Sequence, residues 1–165
     1  MTYRILSMAL LALLIAGCAS TPEFDESKVD KSLTPKTAVD QGESAVGKTV
    51  LWGGTIIESR NLKDSTQLEV LAYPLNSWNR PRESGSAMGR FLVRHSGYLE
   101  TADYAQGRQI TVIGPIQALK AGTIGETHYT YPVVQDEKLH LWEPESAGSS
   151  RGPNVNFGIG VIFSN

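Results

Sequence analysis

A single cysteine among 165 residues leaves the chain without an internal disulfide, and the same count excludes a zinc site built on several thiolates. Cationic excess is missing too. Fifteen Lys and Arg face seventeen Asp and Glu, and a pI near 5.9 gives no general attraction to nucleic acid. The sequence holds no G-x-S-x-G elbow, no phosphate-binding glycine loop and no paired-carboxylate signature, so nothing in it points to catalysis and the expectation is a non-enzyme. The length suits one ordinary domain. What is plentiful is turn chemistry. Sixteen Gly and eight Pro in a chain that is 41% hydrophobic imply a folded body with many turns.

Long apolar runs are likewise absent, apart from one at the N-terminus. After Arg4 the chain is apolar from Ile5 to Ala16 except for Ser7. At about 1.5 Å per residue this run is shorter than the ~30 Å hydrocarbon core, so it reads as a secretion signal over residues 1–17 rather than a permanent span. Ile15-Ala16-Gly17-Cys18 resembles the bacterial lipobox, with the only cysteine of the chain at the one position where lipidation needs it. The resemblance implies a diacylglycerol on the Cys18 thiol, cleavage before Cys18, and acylation of the new amino group. Several acyl chains at about 0.8 kcal/mol per buried CH₂ give stable anchoring where one chain would not. Ala19 and Ser20 follow, with no Asp after the cysteine, which in the enterobacterial sorting pattern implies the outer membrane.

From Ala19 to Val46 there are six acids, three lysines, two prolines and few large apolar residues. Residues 18–46 therefore read as a lipidated, flexible tether with an r.m.s. reach on the order of 30 Å, broken at most by a short helix near 37–45. The folded part, residues 47–143, is neutral, with ten cations and ten acids. It shows short alternating runs: Val50, Trp52, Gly54 and Ile56 on one face, then Leu68, Val70 and Ala72, then segments 90–95, 108–118, 127–134 and 138–142. The expected class is all-β. Residues 144–165 read as a linker and a Gly-rich tail, in which Val155, Phe157, Ile159, Val161 and Phe163 could form an edge strand.

Gly47–Ile56 and Gly107–Ile116, sixty positions apart, share one pattern: Gly, a cation, a β-branched residue, an apolar residue, a Gly and an Ile at matching places. Gly54 and Gly114 stand where a sharply bent strand needs a bulge or a close backbone approach, as in a small closed barrel. One such pair does not establish a repeat. The ordered set Trp52-Gly-Gly-Thr-Ile56, Asn61, Thr66–Val70, Pro74-Leu75, Gly89-Arg90-Phe91, Tyr104, Gly107–Gly114, Gly125-Glu126, Tyr129–Val134 and Leu139–Trp142, together with the lipobox, resembles the Slp (starvation lipoprotein) family of outer-membrane lipoproteins. That resemblance implies a small OB-like β-barrel on an outer-membrane lipid anchor, in an envelope component tied to stationary phase and stress; the expected orientation is toward the periplasm, with the cell exterior left open by the sequence. It supplies no catalytic residues and no cofactor beyond the covalent lipid.

Two candidate sites follow from side chains alone. Arg80, Arg82, Arg90 and Arg94 place four cations in fifteen residues, opposed only by Glu83, around a loop (76–89) rich in Ser, Gly and Asn that reads as mobile. They could touch an anionic lipid surface through bidentate phosphate contacts. His95, His128 and His140 fall in three separate runs. A metal would need them to converge with a carboxylate such as Glu126, so no metal site is expected. Strand aromatics, among them Trp52, Tyr73, Phe91, Tyr98, Tyr104, Tyr129, Tyr131 and Trp142, should fill the core rather than line a cavity. The partner is then the outer membrane, with an envelope protein or anionic lipid surface beside it and no nucleic acid. The rival reading is a periplasmic barrel that binds or transforms a small molecule.

Overall fold

A computed structural model describes residues 22–144. Residues 1–21, with the stretch expected to be a secretion signal and lipobox, and residues 145–165 of the expected tail lie outside the described residues. Six strands form one sheet: β1 (Thr49–Asn61), β2 (Ser65–Ala72), β3 (Arg90–Ser96), β4 (Gln109–Ile124), β5 (Thr127–Gln135) and β6 (Lys138–Leu141). The all-β expectation holds. β1 pairs with both β2 and β4, so the pairings run β1-β2-β3-β5-β4 and return to β1, with β6 added along β4. All pairings are antiparallel except β3 with β5.

The two matching glycine-flanked segments turn out to be partners. Trp52 lies opposite Val112, its own counterpart sixty residues on, and the register spreads evenly outward, with Gly54 opposite Ile110 and Val50 opposite Gly114. A local two-fold axis therefore relates the two segments. The hydrogen bonds repeat in the same way. Gly47 N donates to Ile116 O (2.8 Å) and Gly107 N to Ile56 O (2.9 Å), while Ile116 N donates to Lys48 O and Ile56 N to Arg108 O, both at 2.9 Å. Beyond the axis each strand passes an irregularity, between Ile56 and Glu58 in β1 and between Ile116 and Ala118 in β4, and takes up its own hairpin partner, β2 or β5. Gly54 and Gly114 allow the bend by close approach: a methyl at Gly54 would overlap the Leu71 carbonyl, and one at Gly114 the Gln135 carbonyl.

Inside the ring, Val50, Trp52, Ile56, Leu68, Val70, Phe91, Val93, Ile110, Val112, Ile116 and Val134 form one buried cluster. β2 shows the cause most simply, since Thr66, Leu68, Val70 and Ala72 are buried in strict alternation. Trp52 and Phe91 meet edge to face at 5.2 Å. The interior is filled by side chains.

The tether expectation is corrected over 24–46. Helix α1 (Pro35–Gln41) begins at Thr34, whose side chain accepts from Thr37 N while the Thr37 hydroxyl accepts from Thr34 N, and Pro35 opens it. Ala38, Ala45 and Leu33 are buried in the main core, and the Trp52 indole N–H donates to Leu33 O at 2.8 Å. Val29 bridges to Thr49, and Asp30 N donates to Thr49 O. A polar average concealed a few apolar residues, each seated on the sheet. The neighbouring acids are partly paired, Glu26 with Lys31 at 2.7 Å and Asp30 with Lys48 at 3.4 Å.

Candidate functional site

The outer face of the ring carries the candidate site. Alternation sends Gln67 and Glu69 of β2, and Arg90, Leu92 and Arg94 of β3, away from the core. β4 runs six residues past its expected end and, with β5, forms a long hairpin beyond the β1–β4 ribbon. Gly122, a breaker on paper, is accommodated because the Tyr131 ring packs against its Cα. Between this hairpin, the β1–β2 turn and the β2–β3 face lies a groove of about 470 Å³. Gln67, Arg94, Gln117 and Lys120 supply polar groups, and Leu62, Leu119 and Val133 apolar surface. Lys120 Nζ reaches Gln67 Oε1 at 3.5 Å.

Beside the groove a half-buried cluster stiffens the same face. Arg90 pairs with Glu69 at 2.7 Å, the Tyr129 hydroxyl accepts from Arg90 N at 2.8 Å, and the Tyr131 hydroxyl donates to Thr123 O at 3.0 Å. Burial, followed by the nearby Glu69 charge, pushes the Tyr131 hydroxyl above the usual tyrosine range. Leu92, Tyr131 and Val133 form a second apolar cluster here.

The four arginines do not act as one patch. Arg80 Nε donates to Gln109 Oε1 (2.9 Å), its Nη2 donates to Glu143 O (3.1 Å), and its guanidinium lies 5.5 Å from the centre of the Trp142 ring. Arg82 is exposed on the loop, Arg90 is held by Glu69, and Arg94 lines the groove. A smaller polar cleft of about 270 Å³ includes Arg80, Glu83, Arg108 and Gln109. Hydrogen bonds from Thr55 and Gln109, with the Arg80 charge behind them, hold the Glu83 carboxyl below the usual carboxylate range.

The loop expected to be mobile is tied down. Asn76 Oδ1 accepts from Trp78 N (2.9 Å) and Arg80 N (3.0 Å), and Thr111 Oγ1 donates to Asn79 O at 2.6 Å. Leu75 bridges to Pro81.

The histidines do not converge. His95 Nδ1 lies 2.6 Å from Asp136 Oδ2, His128 is exposed next to the hairpin tip that bears Glu126, and His140 stacks edge-on against Trp142 at 4.4 Å. Burial and then Lys138 lower the His140 pKa from its ordinary value. Among the described residues no cluster of three or more His, Cys, Asp or Glu side chains could hold a metal ion.

Cys18 and its neighbours Ile15, Ala16, Gly17, Ala19 and Ser20 lie outside the described residues. The groove escaped sequence reasoning because it depends on the long β4–β5 hairpin and the β1–β2 turn being brought beside the β2–β3 face when the ring closes. Trp78 escaped because it lies in the β2–β3 loop, away from the strand pattern.

Known proteins place the chain. It is 31% identical to "Uncharacterized lipoprotein YeaY" of Escherichia coli over 135 residues, which span 79% of this chain and 68% of that one. It is 29% identical to "Outer membrane protein Slp" of the same organism over 157 residues, 93% and 82% of the two chains. An "Uncharacterized protein" of Haemophilus influenzae is 32% identical over 129 residues, 78% and 70%. The profile of one family, described as the outer membrane lipoprotein Slp family, matches residues 15–159, which include the whole six-stranded sheet. This chain belongs to the outer membrane lipoprotein Slp family.

Proposed function

We propose that the chain is a non-enzymatic binding module, held on the periplasmic face of the outer membrane by lipid on Cys18, whose OB-like barrel takes an extended envelope glycan along its β2–β3 face. The observation that carries this reading is the cyclic order β1-β2-β3-β5-β4 around a filled core. A filled ring leaves recognition to its outer surface. The groove lies between the β1–β2 turn and the β4–β5 hairpin, across β2 and β3, where OB-folds bind oligonucleotides and oligosaccharides. Charge decides between those two ligands. Ten cations against ten acids over residues 47–143 give little overall attraction to a polyphosphate, and the groove's two cations would neutralise few phosphates, whereas amide and cationic side chains over apolar surface suit hydroxyl-rich chains.

The test is co-sedimentation of the purified protein with cell-wall sacculi. Gln67→Ala and Lys120→Ala are each expected to weaken binding by roughly tenfold, equivalent to about 1.4 kcal/mol, while Asp40→Ala on the exposed side of α1 leaves it unchanged. No sedimentation of the wild type, or equal losses in all three variants, would remove the proposal.

A further inference from the structure

Trp78 is 62% exposed, whereas the other two tryptophans, Trp52 and Trp142, are 3% and 9% exposed. Its exposure is built in. Asn76 Oδ1 accepts the N–H groups of Trp78 and Arg80, Asn79 holds a left-handed φ of 60°, Asn79 Nδ2 donates to Glu26 Oε1 at 3.1 Å, and Asn79 O accepts from Thr111. These bonds fix the backbone of the turn that carries the indole. Tyr98 and Leu62, the other exposed large apolar residues among those described, belong to the far end of β2, which at ~3.3 Å per residue is roughly 23 Å long.

Trp78 also sits where the chain heads toward its anchor. Together with Ser77 and Asn79 it borders a shallow hollow completed by Pro22 and Glu23. Phe24 is buried, with the Lys138 ammonium 5.4 Å from the centre of its ring, and Lys138 also donates to Glu23 O, which fixes the chain there. Only three residues separate Pro22 from Cys18, which makes four Cα–Cα steps. Fully extended they span about 14 Å at most. A lipidated Cys18 lies at the bilayer interface, whose headgroup layer is about 5–7 Å thick on each side. This geometry leaves no room for the ~30 Å stand-off of a long tether.

We infer that Trp78 is a membrane-contact residue, inserting its indole at the headgroup level of the anchoring leaflet so that the β2–β3 loop end of the domain rests on the lipid surface. Tryptophan is the side chain suited to this position, with an apolar body and one N–H for the wet side. The exposed charges along the two segments that meet at the hollow are of both signs, Glu23, Asp25 and Lys28 on one and Arg82 on the other, so the contact depends on the indole rather than on net charge. The inference rests on the proposed lipidation of Cys18. It goes further by fixing which end of the domain faces the bilayer.

The experiment uses the full lipidated protein in phosphatidylethanolamine–phosphatidylglycerol vesicles with brominated acyl chains. Because Trp52 and Trp142 are buried, membrane quenching reports Trp78. The expected result is quenching by the brominated chains that persists in high salt and is lost in Trp78→Phe, with Trp78 shielded from aqueous iodide. A protein that floats with the vesicles while its Trp78 is quenched by iodide and not by bromine would overturn the contact and leave the anchor standing. Shielding from both quenchers would mean that protein covers the indole, which also overturns it. Failure to float would overturn the anchor and the contact together.

Discussion

Replacing Gly54 or Gly114 by alanine is expected to cost about 3 kcal/mol or more in each case, read as a fall in the midpoint of urea unfolding at constant slope. At both sites the new methyl meets a backbone carbonyl of the neighbouring strand, Leu71 O or Gln135 O, with further backbone atoms just behind it. A carbonyl inside a ladder cannot rotate away as a side chain could, so relief requires β1 and β2, or β4 and β5, to separate. The local two-fold axis adds a sharper condition, that the two losses be similar. Gly47 and Gly107 are the matched controls. Both have φ of 86° and open space around the missing Cβ, so alanine there carries only backbone strain, about 1–2 kcal/mol. If alanine at Gly54 were no worse than at Gly47, the close approach of β1 and β2 would be wrong.

Trp52→Ala is expected to lose about 3–5 kcal/mol, the range for emptying a large aromatic site in a packed core. Trp52→Phe separates two contributions. It keeps most of the bulk against Phe91 but removes the indole N–H, leaving the buried Leu33 carbonyl without its donor, at about 1–3 kcal/mol. That bond ties the N-terminal segment to the sheet. Trp52→Phe should therefore open residues 24–46 to limited proteolysis well before the strands are cut. A wild-type protein already cleaved freely within this segment would restore the flexible spacer and contradict the packing of Leu33, Ala38 and Ala45.

Much of the strand content was legible because it is local. Period-two burial in β1 and β2 follows directly from the apolar pattern, and the two glycine-flanked segments shared one pattern because they occupy equivalent places about an axis. Long-range features were not legible. The parallel pairing of β3 with β5 leaves no mark on either strand. The extension of β4 past Ala118 depends on a tyrosine from β5 covering Gly122. Residues 24–46 misled because a mean composition counts acids and lysines, whereas their place is decided by four well-seated apolar side chains, Phe24, Leu33, Ala38 and Ala45. The arginine cluster misled in the opposite direction. Closeness in sequence spread Arg80, Arg82, Arg90 and Arg94 over a tied loop and an outward strand face, each with different surroundings.

Family membership makes the chain an outer-membrane lipoprotein, and the orientation proposed for its domain depends on one covalent feature, the lipid on Cys18. The most direct test is the intact mass of the mature N-terminal peptide combined with membrane fractionation. The expected product is a chain beginning at Cys18, carrying diacylglycerol and an amide-linked acyl group, in the outer-membrane fraction, with Cys18→Ser absent from that fraction. A mature protein with a free, unmodified Cys18 thiol would contradict it.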